Sequence, residues 1–185
     1  VAAAVKAWRS PQPVEVPDEL RAAVGGHPLV AAQLVRRGIV TAEAARRFLD
    51  PLHYVPASPA ALPDMEAAVE RIRRALQRQE TILIWGDFDV DGQTATALLV
   101  SALQGRGAYL RHHIPNRFDE GHGIHLETLR RLLDGVDVLL TCDTGIAAHE
   151  SIDYAQNRGV DVVVTDHHAL PATLPQAQAV VNPMR

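Results

Sequence analysis

An α/β fold, a parallel sheet flanked by helices and preceded by a short helical N-terminal segment, is what this sequence predicts. Three observations predict it. From Thr81 onward, short apolar runs alternate with longer amphipathic ones, the pattern of strands joined by helical crossovers. Three of the apolar runs end directly in acidic stretches: Gly86-Asp87-Phe88-Asp89-Val90-Asp91-Gly92, Thr141-Cys142-Asp143-Thr144-Gly145 and Thr165-Asp166-His167-His168. Loops that come after parallel strands share one edge of the sheet, where ligands bind.

Residues 1–17 read as a mobile lead, broken by Pro11, Pro13 and Pro17, with Trp8 as an anchor on the surface. Residues 18–50 read as short helices with Leu29, Leu34, Ile39, Ala44 and Leu49 as apolar contacts. There Gly38 stops one helix and Thr41 caps the next. Residues 51–63 form a proline-rich crossing segment. Asp64 is placed to cap an amphipathic helix, with Met65, Val69, Ile72 and Leu76 on one face and arginines on the other. Strands are expected at 81–85, 109–114, 136–140 and 160–164, with a fifth starting at Val180-Val181. Helices are expected near 94–104, 125–134 and 147–158. The domain division expected is a helical lead and crossing segment, 1–63, and an α/β domain, 64–185.

Composition narrows the function classes. With 185 residues, 47% of them apolar, the chain is large enough to bury a core. The net charge of −4 gives no sign of a nucleic-acid partner by itself. Residues 1–64 carry seven basic and six acidic side chains, against eleven and sixteen in 65–185, so the acidic excess falls where the clusters are. Bound cations would offset it. Cys142, the single cysteine, excludes an internal disulfide framework and fits a reducing cytoplasm. No apolar run reaches membrane-spanning length, and the alanine-rich start lacks a signal-like core. The first residue is Val rather than Met, which suggests a piece of a longer protein.

Asp87, Asp89 and Asp91 stand within five residues and repel one another unless a cation sits among them. An oxygen-rich set favours magnesium, manganese or calcium, and added histidine favours manganese over calcium. A calcium loop of the EF-hand type fits the opening, but the position that needs a bidentate glutamate is Leu98, and the cluster comes after a strand. Asp143 reads either as a cap of the helix beyond it or, given its shared edge, as part of the same site. Cys142 reads as buried filler rather than a ligand. Adjacent His167 and His168 point in different directions, so one can bind metal while the other faces substrate. Asp166 can orient an imidazole or cap the next segment. His112 and His113 sit in a strand and read as structural. His122, His125 and His149 are weaker candidates, and His27 and His53 read as surface.

These motifs, in this order, resemble the DHH phosphoesterase superfamily, and within it the single-strand-specific exonuclease family of bacterial RecJ. The resemblance extends to Ile84-Trp85-Gly86-Asp87, to Ile114-Pro115-Asn116-Arg117-Phe118 with Gly121 and Gly123, to Val181-Asn182-Pro183, and to Phe48-Leu49-Asp50-Pro51 and Asp64-Met65 in the lead. It implies a metal-dependent 5′-to-3′ exonuclease hydrolysing phosphodiester bonds of single-stranded DNA in recombination and repair. Two ions of Mn2+ or Mg2+ are implied, one activating water and both stabilising phosphate charge. By position, Asp87, Asp89 and Asp91 supply the first metal motif, with Asp89 and Asp91 the best match to the paired acids. Asp143 bridges two metals and His167 is a ligand. His168 contacts phosphate or assists proton transfer, and Asn116 and Arg117 contact the DNA phosphate. The implied partners are a helicase and a single-strand-binding protein, around a monomeric enzyme.

Two departures from the family pattern stand out. Cys142 precedes Asp143, where the family usually places cysteine after the aspartate. The chain also ends at Arg185, before a further aspartate motif and a second domain that the superfamily carries, so the expected activity in isolation is weak or nil. Two other readings are a hydrolase of short oligonucleotides or cyclic dinucleotides with the same centre, and an inactive structural relative in a replication assembly. The helical lead and the Pro-Asn-Arg-Phe loop speak against the first, and the retained acids speak against the second.

Overall fold

Three short helices, α1 (Asp18–Ala23), α2 (Pro28–Arg36) and α3 (Ala42–Leu49), close around Leu20, Leu34 and Ala45. The structure, a computed structural model, describes residues 9–185, so Trp8 lies outside the described residues. Two units divide between Ala57 and Ser58. In the first, Thr41 Oγ1 accepts a hydrogen bond from the Ala44 amide and caps α3, as its position predicts. Leu34 and Ile39 join this cluster as expected, but the rest of the contact set is a correction. Leu29 and Leu49 are exposed, while Leu20 and Ala45 are buried. Helices this short bury only the residues that face their common axis, and periodicity alone cannot fix that axis.

The second unit is a five-stranded sheet. Its elements run α4 (Met65–Arg78), β1 (Thr81–Trp85), α5 (Val90–Gln104), β2 (Tyr109–His113), α6 (Leu126–Leu132), β3 (Val138–Cys142), α7 (His149–Asn157), β4 (Asp161–Thr165) and β5 (Ala179–Val181). All pairings are parallel, in the order β2-β1-β3-β4-β5. β1, β3 and β4 are buried along most of their length, as apolar strands covered on both faces must be. Side chains alternate between two cores. Ile82, Ile84, Leu140 and Val163 pack with α4 and α5, while Leu83, Trp85, Leu139 and Val164 pack with α6 and α7. The fold class expected from the sequence is therefore the one observed. No helix of the described residues is long and apolar enough to cross a membrane.

Two details of α4 differ from expectation. Asp64 makes no capping bond to its helix. Its backbone is left-handed (φ 55°), and its Oδ2 instead accepts from the Val180 amide at 3.1 Å and from Arg185 Nη1 at 2.6 Å. The buried stripe is Ala68, Arg71 and Ala75 rather than Val69 and Leu76, because the small alanines let the helix approach the sheet. Arg71 is buried with them and is ion-paired to Glu80 at 2.7 Å and Asp161 at 2.6 Å.

Candidate metal centre

Strand order places the three acidic loops side by side. The chain leaves β1 toward β2 on one side, and β3 lies on the other, so a crevice opens at the carboxyl ends of β1 and β3. The loop after β4 borders it. Each motif enters this crevice by a different local device.

After β1 the chain turns at once into helix. Asp89 Oδ1 accepts from the Gly92 amide at 3.0 Å and caps α5, which therefore begins at Val90, four residues before the periodicity suggests. This winding brings Gly92 against the backbone of Asp87. A Cβ on Gly92 would lie 2.5 Å from both the nitrogen and the oxygen of Asp87. Asp87 is thereby turned inward and fully buried, Asp89 is half-buried, and Asp91 stays exposed on the first turn of α5. Asp91 lines a groove of about 490 Å³ that it shares with Asp143, Asp166 and His167.

After β3, Asp143 takes a left-handed backbone conformation (φ 60°), uncommon for a residue with a side chain but tolerated by aspartate. Its amide still donates to the Thr165 carbonyl at 3.1 Å, so the twist comes at the last rung of the ladder. The carboxylate is buried (8% exposed) and caps no helix. Burial first, and the carboxylate of Asp89 second, hold its pKa above the usual range, while the ring of His167 works the other way. Asp89 itself is held low, chiefly by the Gly92 amide.

After β4, Asp166 anchors the turn. Its Oδ2 accepts from the Ile146 amide at 2.9 Å, tying this loop to the one after β3. Its Oδ1 accepts from the amides of His167 (2.7 Å) and His168 (3.1 Å) and lies 2.7 Å from Nδ1 of His168. Asp166 thus orients His168 and shapes the turn that presents His167. Burial raises its pKa, but these donors outweigh burial and hold it below the ordinary value. The Asp166 carboxylate, in turn, raises the pKa of His168.

Among the described residues, two groups bring ligand atoms within 4.8 Å of one another: Asp87, Asp89 and Asp143, and Asp143, His167 and His168. Asp143 belongs to both. Oδ1 of Asp87 and both oxygens of Asp143 are buried without a hydrogen-bond partner. Buried carboxylate oxygens without partners are costly in a folded protein, and where several converge with an imidazole a bound cation offsets that cost. The residues present therefore fit a divalent metal with oxygen and imidazole ligands.

The remaining sequence-predicted residues fall near this crevice or serve the scaffold. Arg117 lies with its guanidinium 4.1 Å from the centre of the Phe88 ring. Asn116 Oδ1 accepts from the Phe118 amide at 2.8 Å, so its side chain holds the loop that carries Arg117. His113 sits 3.0 Å from Glu120 and against Trp85, in keeping with a structural histidine. Cys142 is buried beside Thr96 and burial raises its thiol pKa. The residue that sequence reading underrated is His122. Its Nδ1 lies 3.0 Å from Asp87 Oδ2 and its ring packs near His168. Only its place between two glycines in a loop otherwise matched to the family hinted at this.

Fold and site together define a parallel α/β protein whose carboxyl edge carries an acid–histidine cluster suited to divalent cations. The chain belongs to the DHH family: the DHH family, N-terminal domain, matches residues 81–185. It is 41% identical over 157 residues to the single-stranded-DNA-specific exonuclease RecJ of Bacillus subtilis (strain 168), a match covering 84% of this chain and 20% of that protein. It resembles a crystal structure of exonuclease RecJ bound to manganese with a TM-score of 0.65 and 37% identity, covering 69% of this chain and 33% of that one. It also resembles RecJ in complex with Mn2+ from Thermus thermophilus, with a TM-score of 0.65 and 31% identity, over 92% of this chain and 24% of that one. The family resemblance read from the three motifs is thus borne out. The chain spans about a fifth of the length of the curated relatives it matches.

Proposed function

We propose that this chain is the N-terminal part of the catalytic core of a metal-dependent 5′-to-3′ exonuclease that hydrolyses single-stranded DNA in recombination and repair. The observation that carries the reading is the set of buried, unpartnered oxygens on Asp87 and Asp143, beside Asp89 and His167, in a chain whose relatives include RecJ exonucleases. Asp87, Asp89, Asp143 and His167 would hold two divalent ions, Mn2+ or Mg2+, with Asp143 shared between them. Asp91, exposed at the same groove, completes the acidic motif. Such ions supply positive charge against phosphate oxygens and make water nucleophilic near neutral pH.

The chain's own groups do the rest. His168, held by Asp166, offers an imidazole to the phosphate or to a proton in transfer. Arg117, resting on Phe88, offers a guanidinium to the DNA backbone, and Asn116 sets its loop. Residues 64–185 make up the catalytic part and residues 1–63 the helical lead. With this reading go a monomeric state, a cytoplasmic setting suited to the lone Cys142, and recruitment by a helicase and a single-strand-binding protein.

The test is incubation with 5′-end-labelled single-stranded DNA and Mn2+, beside an Asp89→Ala variant. Slow release of nucleotides from the 5′ end, lost in the variant, is expected. Release from the 3′ end, or cleavage that persists in Asp89→Ala, contradicts the reading.

A further inference from the structure

Asp87 is the most deeply buried of the acids assigned to the metal, with a side chain only 2% exposed against 5% for Asp143, and its two oxygens are treated differently. Oδ2 lies 3.0 Å from His122 Nδ1, while Oδ1 has no partner. A carboxylate can only accept, so Nδ1 is the donor of this hydrogen bond. Among the described side chains, His122 is the one hydrogen-bond partner of that carboxylate.

His122 is itself held from several sides. Its ring meets the edge of Phe88 with centroids 6.2 Å apart and that of His168 at 5.4 Å. Its loop is tied to the sheet on both flanks. Trp85 Nε1 donates to the Gly123 carbonyl at 3.3 Å, and Glu120 pairs with His113 at 3.0 Å. The strand that leads into Asp87 therefore also fixes the loop that carries His122. An imidazole more than half exposed gains little from burial here, so packing alone does not account for its position.

We propose that His122 is a positioning residue for the metal centre, holding Asp87 Oδ2 so that the buried Oδ1 is presented to a divalent cation. This inference rests on the metal reading above and deepens it. Outer partners of this kind fix ligand orientation, and their loss weakens metal affinity by about 10–100-fold. His122 also joins the acid to the rest of the site. Arg117 rests on Phe88, Phe88 on His122, and His122 on His168, so removing the imidazole unlinks the ligand from two residues assigned to the phosphate.

The experiment is titration of the full chain with Mn2+, read by electron paramagnetic resonance of the free ion, for wild type, His122→Ala, His122→Asn and Asp87→Asn. Thermal unfolding without metal accompanies each. His122→Ala is expected to weaken Mn2+ binding about tenfold or more. His122→Asn, whose amide can donate to the same oxygen, is expected to recover most of that loss. Equal affinity in wild type and His122→Ala overturns the proposal, as does a loss that Asn fails to recover in a variant that unfolds like wild type. A wild-type chain that binds no Mn2+ overturns the metal reading itself, and His122 with it. A chain that binds Mn2+ but is indifferent to His122 leaves the metal reading standing and removes only this proposal.

Discussion

Nε2 of His167 and Oδ1 of Asp143 lie 2.8 Å apart, yet no aligned hydrogen bond satisfies that oxygen. The two groups are close enough to serve as neighbouring ligands of one cation. Oδ2 of Asp143 is equally buried and unpartnered, and the Asp143 carboxylate also stands within 4.8 Å of Asp89. Without a cation the arrangement is a liability.

Asp143→Asn keeps the volume and removes a charge that burial and Asp89 disfavour. The metal-free variant is expected to be more stable than wild type, by about 1 kcal/mol, as functional sites often sacrifice stability. Urea unfolding in the presence of a chelator reads this directly. A loss of stability of similar size would sink the view that the acid pair is strained.

Gly92→Ala puts a Cβ 2.5 Å from backbone atoms of Asp87, which cannot yield without moving the loop. The expected cost is about 1–3 kcal/mol, with Mn2+ binding lost along with it. Alanine is a better helix former than glycine, so the propensity of α5 alone predicts the opposite sign. A variant at least as stable as wild type with unchanged Mn2+ affinity would show that the close approach is not needed.

Arg71 is buried between Glu80 and Asp161. Arg71→Ala leaves Asp161 without its cation and Glu80 with Arg78 alone, 3.8 Å away. The loss is expected to be about 2 kcal/mol, below that for a fully buried pair because the Asp161 side chain is 45% exposed. Denaturant midpoints for Arg71→Ala and Arg71→Met separate lost charge from lost packing, and charge predicts that both are destabilised.

Acid should weaken this fold. The Asp64 pKa is lowered first by Arg185 and then by the Val180 amide. Burial raises Glu120, but the Asn116 amide and His113 outweigh it and leave it lowered. A lowered folded-state pKa gives stability that is full above the ordinary values, 3.8 for Asp64 and 4.5 for Glu120, and is lost as pH falls through the folded values below them. Asp143, shifted upward, acts in the reverse sense and gains from protonation. Melting temperatures measured downward from pH 6 should fall, and Asp64→Asn should flatten the lowest part of the curve. An unchanged slope in that variant removes Asp64 from the account.

Much of this was legible in the sequence, for a physical reason. Buried parallel strands such as Leu139-Leu140 and Val162-Val163-Val164 are continuous apolar runs, and the loops after them must lie at one edge. That logic gathered Asp87, Asp89, Asp91, Asp143, His167 and His168 without any geometry, though Asp91 stays exposed and belongs to neither ligand group. The features that escaped it depend on side-chain direction. Asp64 reads as a cap yet turns its carboxylate to Val180, because its left-handed backbone points it away from α4. Arg71 reads as a solvated arginine yet is buried, since its partners are 9 and 90 residues away. Asp89 caps α5 from inside the acidic motif, so the helix begins among residues that look like loop. His122 lies 35 residues from the acid it contacts, with no periodicity to connect them.

The central claim is that Asp143 is shared by two metal-holding groups. Its most direct test is Mn2+ titration of wild type against Asp143→Asn, with binding and stoichiometry read by electron paramagnetic resonance. Tight binding in wild type and a loss of at least about tenfold in the variant, with the fold intact, is the predicted result. Equal binding by the two proteins, or no binding by wild type, would contradict it.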